Sequence, residues 1–219
     1  MKGAIVIAGA SGVGKTTVAN LILEKGGFDL VRSATTRPPR EDGNYGEYLY
    51  LSREDFLKRV DKGEMLEFTE YGGNLYGTPK SEIERIYSEG KLPLLIVDLL
   101  GIRSFYEKRD EFAYKAFYIY EDINVIEKRL YNRELSTPTP DGLLNFFKRK
   151  NANIADFSRL PELTCGFFAF VKNTEAAAAA DAVLDAFLER ESGENPLVAK
   201  GEELFALAKA LSDKAKEKA

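Results

Sequence analysis

The apolar run Ala4-Ile5-Val6-Ile7-Ala8 passes directly into Gly9-Ala10-Ser11-Gly12-Val13-Gly14-Lys15-Thr16, and helical patterning from Val13 to Lys25 follows. This is G-x-x-x-x-G-K-[ST] in the setting that gives it meaning, after a strand and opening a helix. The glycines let successive backbone N–H groups turn inward, and the helix adds its positive N-terminal end, so the loop suits the phosphates of a nucleotide. Lys15 is expected to reach the β- and γ-phosphates, and the Thr16 hydroxyl to meet Mg2+. A strand of this kind must be covered on both faces, which commits the chain to an α/β fold.

The remaining pattern agrees. Apolar strand-like runs at Leu92–Val97 and Ala116–Tyr120 are followed by helical spacing at Ile102–Lys108 and Ile123–Leu130. Such alternation predicts a parallel sheet with crossover helices. Two segments interrupt it: one from about 33 to 90, rich in Gly, Arg and Tyr, and one from about 132 to 141 that reads as a mobile loop. Residues 166–173 are predicted to form a last buried strand, followed by an Ala-rich helix over 174–190. Residues 191–196 read as a linker, and Leu204, Leu207, Ala208 and Leu211 recur at helical spacing in a tail expected to pack against the core or a partner subunit.

Composition narrows the chemistry. Histidine is absent and Cys165 stands alone, so His-based triads, His-ligated metals, intramolecular disulfides and Cys-cluster zinc sites are excluded. The net charge of −4 gives no global basic field, so neither nucleic acid nor an anionic membrane is an expected partner. No apolar run in the sequence approaches the roughly 18 residues of a transmembrane helix. With one unpaired thiol the expectation is a cytoplasmic protein.

The phosphate loop alone leaves GTPases, motor ATPases, transporters and small-molecule kinases open. A second region points further. Ser33-Ala-Thr-Thr-Arg37-Pro-Pro-Arg40 sets two guanidinium groups three residues apart on a proline-stiffened segment, suited to gripping a phosphate monoester, with Tyr45, Tyr48 and Tyr76 as hydroxyl donors. In strand alternation Leu66 and Phe68 share one face of the run Met65–Thr69, and Glu67 faces the other way with Met65 and Thr69. A carboxylate there, with a hydroxyl such as Ser33 or Thr78, complements guanine, which presents N1–H and an N2 amino group side by side and an O6 acceptor.

These stretches, Gly9 to Thr17, Ser33 to Arg40, Tyr48, and Glu67 through Tyr76-Gly77-Thr78, resemble the guanylate kinase family in order and content over about residues 3–190. The resemblance implies a P-loop core carrying an inserted nucleoside monophosphate-binding region at about 33–90 and a lid at about 132–150, with residues 191–219 as linker and amphipathic helix. It implies ATP + GMP to ADP + GDP, with Mg2+, in purine nucleotide metabolism, by a monomer or homodimer. Gly9, Ala10, Ser11, Gly12, Val13, Gly14, Lys15, Thr16 and Thr17 would bind ATP, with Asn173 near its base. Arg37, Arg40, Tyr48 and Tyr76 would hold the GMP phosphate, while Ser33, Glu67, Gly77, Thr78 and Asp98 would surround guanine. Arg129, Arg133 and Arg149 fall on the lid arginines, which with Lys15 and Arg37 would stabilise the transition state.

The chain departs from that family in three places. Ile96-Val97-Asp98 stands where Asp-x-Asp is usual, Ala34 where a polar residue is common, and Asn132-Arg133-Glu134 where the lid is usually glycine-rich. Related readings are a kinase for another acceptor, such as the ribosyl bisphosphate phosphokinases, and a catalytically weak module that binds a phosphorylated protein segment. A GTPase-type switch would want an Asn-Lys-x-Asp motif in a later loop, and none occurs.

Overall fold

The first strand, β1 (Ala4–Ala8), is buried at every position, as a strand is when helices cover both faces of its sheet. The computed structural model describes residues 3–39, 48–71, 73–136, 142–190 and 195–218. After β1 come α1 (Lys15–Glu24) and β2 (Phe28–Leu30). An insertion follows, with β3 (Ser33–Thr35), β4 (Tyr48–Tyr50), α2 (Arg53–Asp61), β5 (Met65–Tyr71), β6 (Asn74–Pro79) and α3 (Lys80–Ser88). The chain then returns through β7 (Leu92–Ile96), α4 (Leu99–Glu107), β8 (Tyr114–Tyr120), α5 (Ile123–Ser136) and α6 (Gly142–Arg159). A 3-10 segment, Leu160–Gly166, leads to β9 (Ala169–Lys172), α7 (Ala176–Leu188), β10 (Val198–Lys200) and α8 (Glu203–Lys216).

The main sheet has the order β10-β9-β8-β1-β7-β2. All neighbours are parallel except β10, which runs antiparallel along β9. Because β1 lies between β7 and β8, the strand order reverses at its carboxyl end, the place where open α/β sheets bind ligands. The insertion forms its own sheet, β4-β3-β6-β5, over a small separate core of Ala34, Phe56, Met65 and Leu75.

Four local outcomes differ from the sequence reading. Helix α5 continues through Ser136, into the stretch read as a loop from 132. Glu134 holds it, pairing with Arg133 at 2.9 Å and with Arg149 of α6 at 3.0 Å, and Pro138 and Pro140 lie just beyond. The last central strand covers Ala169–Lys172 alone, since residues 160–166 coil into the 3-10 segment. An edge strand, β10, follows where none was read. In β5 the register shifts between Met65 and Glu67, so a bulge breaks the alternation. Phe68 therefore packs with Met65 on the Phe56 side, at 6.4 Å between the Phe56 and Phe68 rings, and Leu66 joins the main core instead.

Helix α8 buries Leu204, Ala208, Leu211 and Ala215 against the body of the protein, lying beside α6 and the 3-10 segment. Among the described residues no helix is long and apolar enough to cross a membrane.

Candidate active site

The phosphate loop is held open by its own carbonyls. Lys15 Nζ donates to the Gly9 and Ala10 oxygens at 2.7 and 3.0 Å. Asn173 Nδ2 donates to Val13 O at 2.7 Å, and Arg129 reaches the same oxygen at 3.3 Å. Asn153 of α6 takes both backbone groups of Ser11, accepting from its N–H at 2.8 Å and donating to its carbonyl at 2.9 Å. The amides of Gly12, Gly14, Lys15 and Thr16 have no acceptor among the described residues, the arrangement an anion requires. Glycine is needed at position 14 because φ is +98° and an added Cβ would stand 2.6 Å from Asn173 Nδ2.

Two cavities meet at this loop. One, of about 460 Å³, runs from Lys15 and Ser11 to the inserted sheet, where Ser33, Arg37, Tyr48, Glu67, Tyr76 and Gly77 line it. Asp98, Arg149, Asn153 and Asp156 complete its wall. The other, of about 440 Å³, lies over Gly12, Gly14, Thr16 and Thr17 beside Arg129, Arg133 and Asn173. Ser11 and Lys15 belong to both. An anionic ligand in each would therefore bring its reacting end to the same ammonium.

At the far end of the first cavity, Glu67 is 6% exposed and accepts a 2.7 Å hydrogen bond from the Thr78 hydroxyl. Burial pushes its carboxyl up to about 7, against the Thr78 bond that pulls it down. Thr78, 1% exposed, orients this carboxylate from behind and does not line the cavity. Arg37 lies with its guanidinium 5.2 Å from the Tyr48 ring centre, and its buried Nε has no acceptor among the described residues. A buried unpaired donor on a cationic group is costly without an anion to meet it. Arg40 and Tyr45, expected beside it, lie outside the described residues.

Asp98 caps α4, accepting from Gly101 N at 2.7 Å, and burial raises its carboxyl above the usual range. Asp156 is raised to about 6 by burial and by the charge of Asp98, with Lys15 opposing. Lys15 is lowered to about 8 by burial, against the pull of Asp156 and Asp98. Arg149 donates to Ser11 Oγ at 3.2 Å, and Arg133, half exposed, bonds Glu134 at 2.9 Å. Asn173 is 2% exposed, and its Oδ1 has no donor among the described residues. The Thr16 hydroxyl, exposed in the first turn of α1, also has no partner there. As a hard oxygen donor it fits a divalent cation of the magnesium type, while Asp98 and Asp156 line the other cavity. Among the described residues no cluster of three or more acids forms a cage for a metal.

These pKa values fix the sign of the pH dependence. Between the ordinary carboxyl range and about 7 the folded protein retains a proton on Glu67 that the unfolded chain has lost, and Asp156 acts likewise up to about 6. Stability therefore falls as pH rises through that interval, and above about 8, where the buried Lys15 ammonium gives up its proton before that of the unfolded chain, it rises again. Thermal melting of the ligand-free protein should drop by several degrees from pH 5 to pH 8; a midpoint that rises instead would overturn the burial assigned to these acids.

Asn153 and Asp156 were not singled out from the sequence. With Arg149 they fall at i, i+4 and i+7, one helical face, a signal visible once α6 is extended past residue 150.

A family model described as guanylate kinase matches residues 1–189. A guanylate kinase of Clostridium perfringens is 36% identical over 146 residues, which make up 66% of this chain and 66% of that relative. One from Prochlorococcus marinus is 41% identical over 133 residues, 60% of this chain and 72% of the relative. Among solved structures, a guanylate kinase from Anaplasma phagocytophilum superposes with a TM-score of 0.59 at 23% identity, covering 92% of both chains.

Proposed function

The chain belongs to the guanylate kinase family, and from that membership we propose that it moves the γ-phosphoryl group of ATP to GMP, giving ADP and GDP, with Mg2+ as the divalent cation the family implies. The observation that carries this reading is the pair of nucleotide-sized cavities that share Lys15, one of them ending in a buried carboxylate and a guanidinium whose buried Nε has no acceptor among the described residues. ATP takes the loop side, lying along Gly9 to Thr17 with its phosphates on the amides of Gly12, Gly14, Lys15 and Thr16 and its base towards Asn173. GMP takes the other cavity. Its phosphate meets Arg37, Arg40, Tyr48 and Tyr76, and its N1–H and N2 amino group donate to Glu67, with Ser33, Gly77 and Asp98 around the ring and Thr78 orienting the carboxylate.

Transfer is then in line: an oxygen of the GMP phosphate attacks the γ-phosphorus, the bond to the bridging oxygen of ADP breaks, and no strong base is needed. Lys15, Arg129, Arg133 and Arg149 offset the negative charge of two nucleotides. A bound divalent cation supplies further positive charge to the phosphoryl oxygens, and the Thr16 hydroxyl would hold it. Closure of the lid excludes water, which limits hydrolysis of ATP. A cytoplasmic location suits these substrates.

The test is ADP release from Mg-ATP with GMP, dGMP, AMP, CMP or UMP, blanked against Lys15→Ala. GMP should be the one ribonucleotide that drives it; GMP binding without turnover would point to a binding module instead. In the same assay Arg37→Ala should raise the KM for GMP at least tenfold, the effect of removing a charge-assisted bond worth about 1.5–3 kcal/mol. The KM for ATP should change less than about twofold. An unaltered KM for GMP removes Arg37 from the phosphate grip.

A further inference from the structure

Resting on that reading, we infer that Asn153 is a positioning residue for ATP, fixing the phosphate loop from the lid helix. A peptide unit carries its carbonyl and the next N–H in opposite directions. Holding the Ser11 carbonyl towards α6 therefore aims the Gly12 amide the other way, into the cradle. Asn153 does this at 2.9 Å, and its Oδ1 fixes the preceding peptide by accepting from Ser11 N at 2.8 Å. Asn173 performs the matching task for Val13 and hence for the Gly14 amide. Two buried amide side chains, from elements on opposite sides of the loop, thus orient two of its amides before any nucleotide arrives.

The Asn153 side chain has no other hydrogen-bonding partner among the described residues and sits in mid-helix. Asparagine is a poorer helix former than alanine, and burying its amide costs free energy unless both ends are bonded. Its placement is therefore explained by the Ser11 peptide and by nothing local to α6. One turn before it on the same face, Arg149 also reaches Ser11, through the hydroxyl at 3.2 Å. The helix that carries a transition-state arginine is thereby fastened to the loop that carries the donor phosphates.

The test uses the full chain. Asn153→Ala should raise the KM for ATP and the calorimetric Kd for ADP, measured without turnover, by about tenfold, the loss of roughly two neutral hydrogen bonds. The KM for GMP should rise less than that for ATP, although Asn153 also borders the acceptor cavity, and the melting temperature should hold or rise. Asn153→Asp keeps the acceptor, loses the donor and sets a negative charge towards the phosphates, so its ADP affinity should fall below that of the alanine variant. The inference is overturned by an unchanged ADP Kd in Asn153→Ala, by an aspartate variant that binds like the parent protein, or by losses shared equally between ATP and GMP with a lowered melting point. The ADP measurement needs no acceptor, so it stands even if GMP proves not to be the second substrate.

Discussion

Lys15→Ala should lower turnover by about a thousandfold or more while leaving GMP binding within about twofold of the parent protein. The size follows from where the ammonium lies. It belongs to both cavities, so it is positioned to meet the phosphoryl group in transit, where one preorganised charge is worth about 10² to 10³ in rate and a positively charged finger about 10³ to 10⁵. Burial lowers its pKa to about 8 in the ligand-free protein; incoming phosphates favour the charged form. Lys15 also donates to the Gly9 and Ala10 carbonyls, so the variant loosens the cradle, and ATP affinity should fall together with the rate. Calorimetry with GMP separates this from misfolding, because Ser33, Glu67 and Gly77, which would hold guanine, lie on the inserted sheet. Retention of a tenth of the activity would remove Lys15 from the chemistry.

What could be read in advance was whatever depends on short stretches of sequence. The phosphate loop and the strands at β1, β7 and β8 carry their signal within about ten residues, through a fixed motif or a local periodicity, whereas the roles expected of Arg37 and Glu67 come from the order of stretches shared with the family. What escaped depends on distant pairing. The bulge at Met65–Glu67 is invisible in an alternating run, because it is set by the register against β6. The extension of α5 to Ser136 rests on Glu134 meeting Arg149 across the α5–α6 hairpin, and β10 exists because β9 offers it an edge. Asn153 and Asp156 looked like ordinary polar positions until α6 was laid against the loop, and Thr78 changed from a neighbour of the base to the group that holds Glu67. The Ile96 departure acquired a physical context in the same way: Asp156 brings a carboxylate to the same wall from another element.

Glu67→Gln sets function against stability and should move them in opposite directions. The carboxylate is buried and accepts from the Thr78 hydroxyl, and its lone pairs on the cavity side would match the two adjacent donors of guanine. Replacing it with an amide turns one acceptor into a donor and faces it with a donor. Mismatched buried bonds to a charged group cost about 2–4 kcal/mol, which at 1.4 kcal/mol per tenfold corresponds to a fall of roughly 30-fold to 1,000-fold in kcat/KM for GMP. ATP affinity should be unaffected, since the donor cavity lies on the other side of Lys15. The ligand-free variant should melt higher than the parent protein at pH 8, because a neutral amide avoids the cost of ionising a group whose pKa is held at about 7, and should match it at pH 5, where Glu67 is already protonated. GMP turnover equal to the parent's would sink the guanine assignment. A stability difference of the same size at both pH values would show instead that the change is one of packing and that burial of charge is not what shapes this end of the cavity.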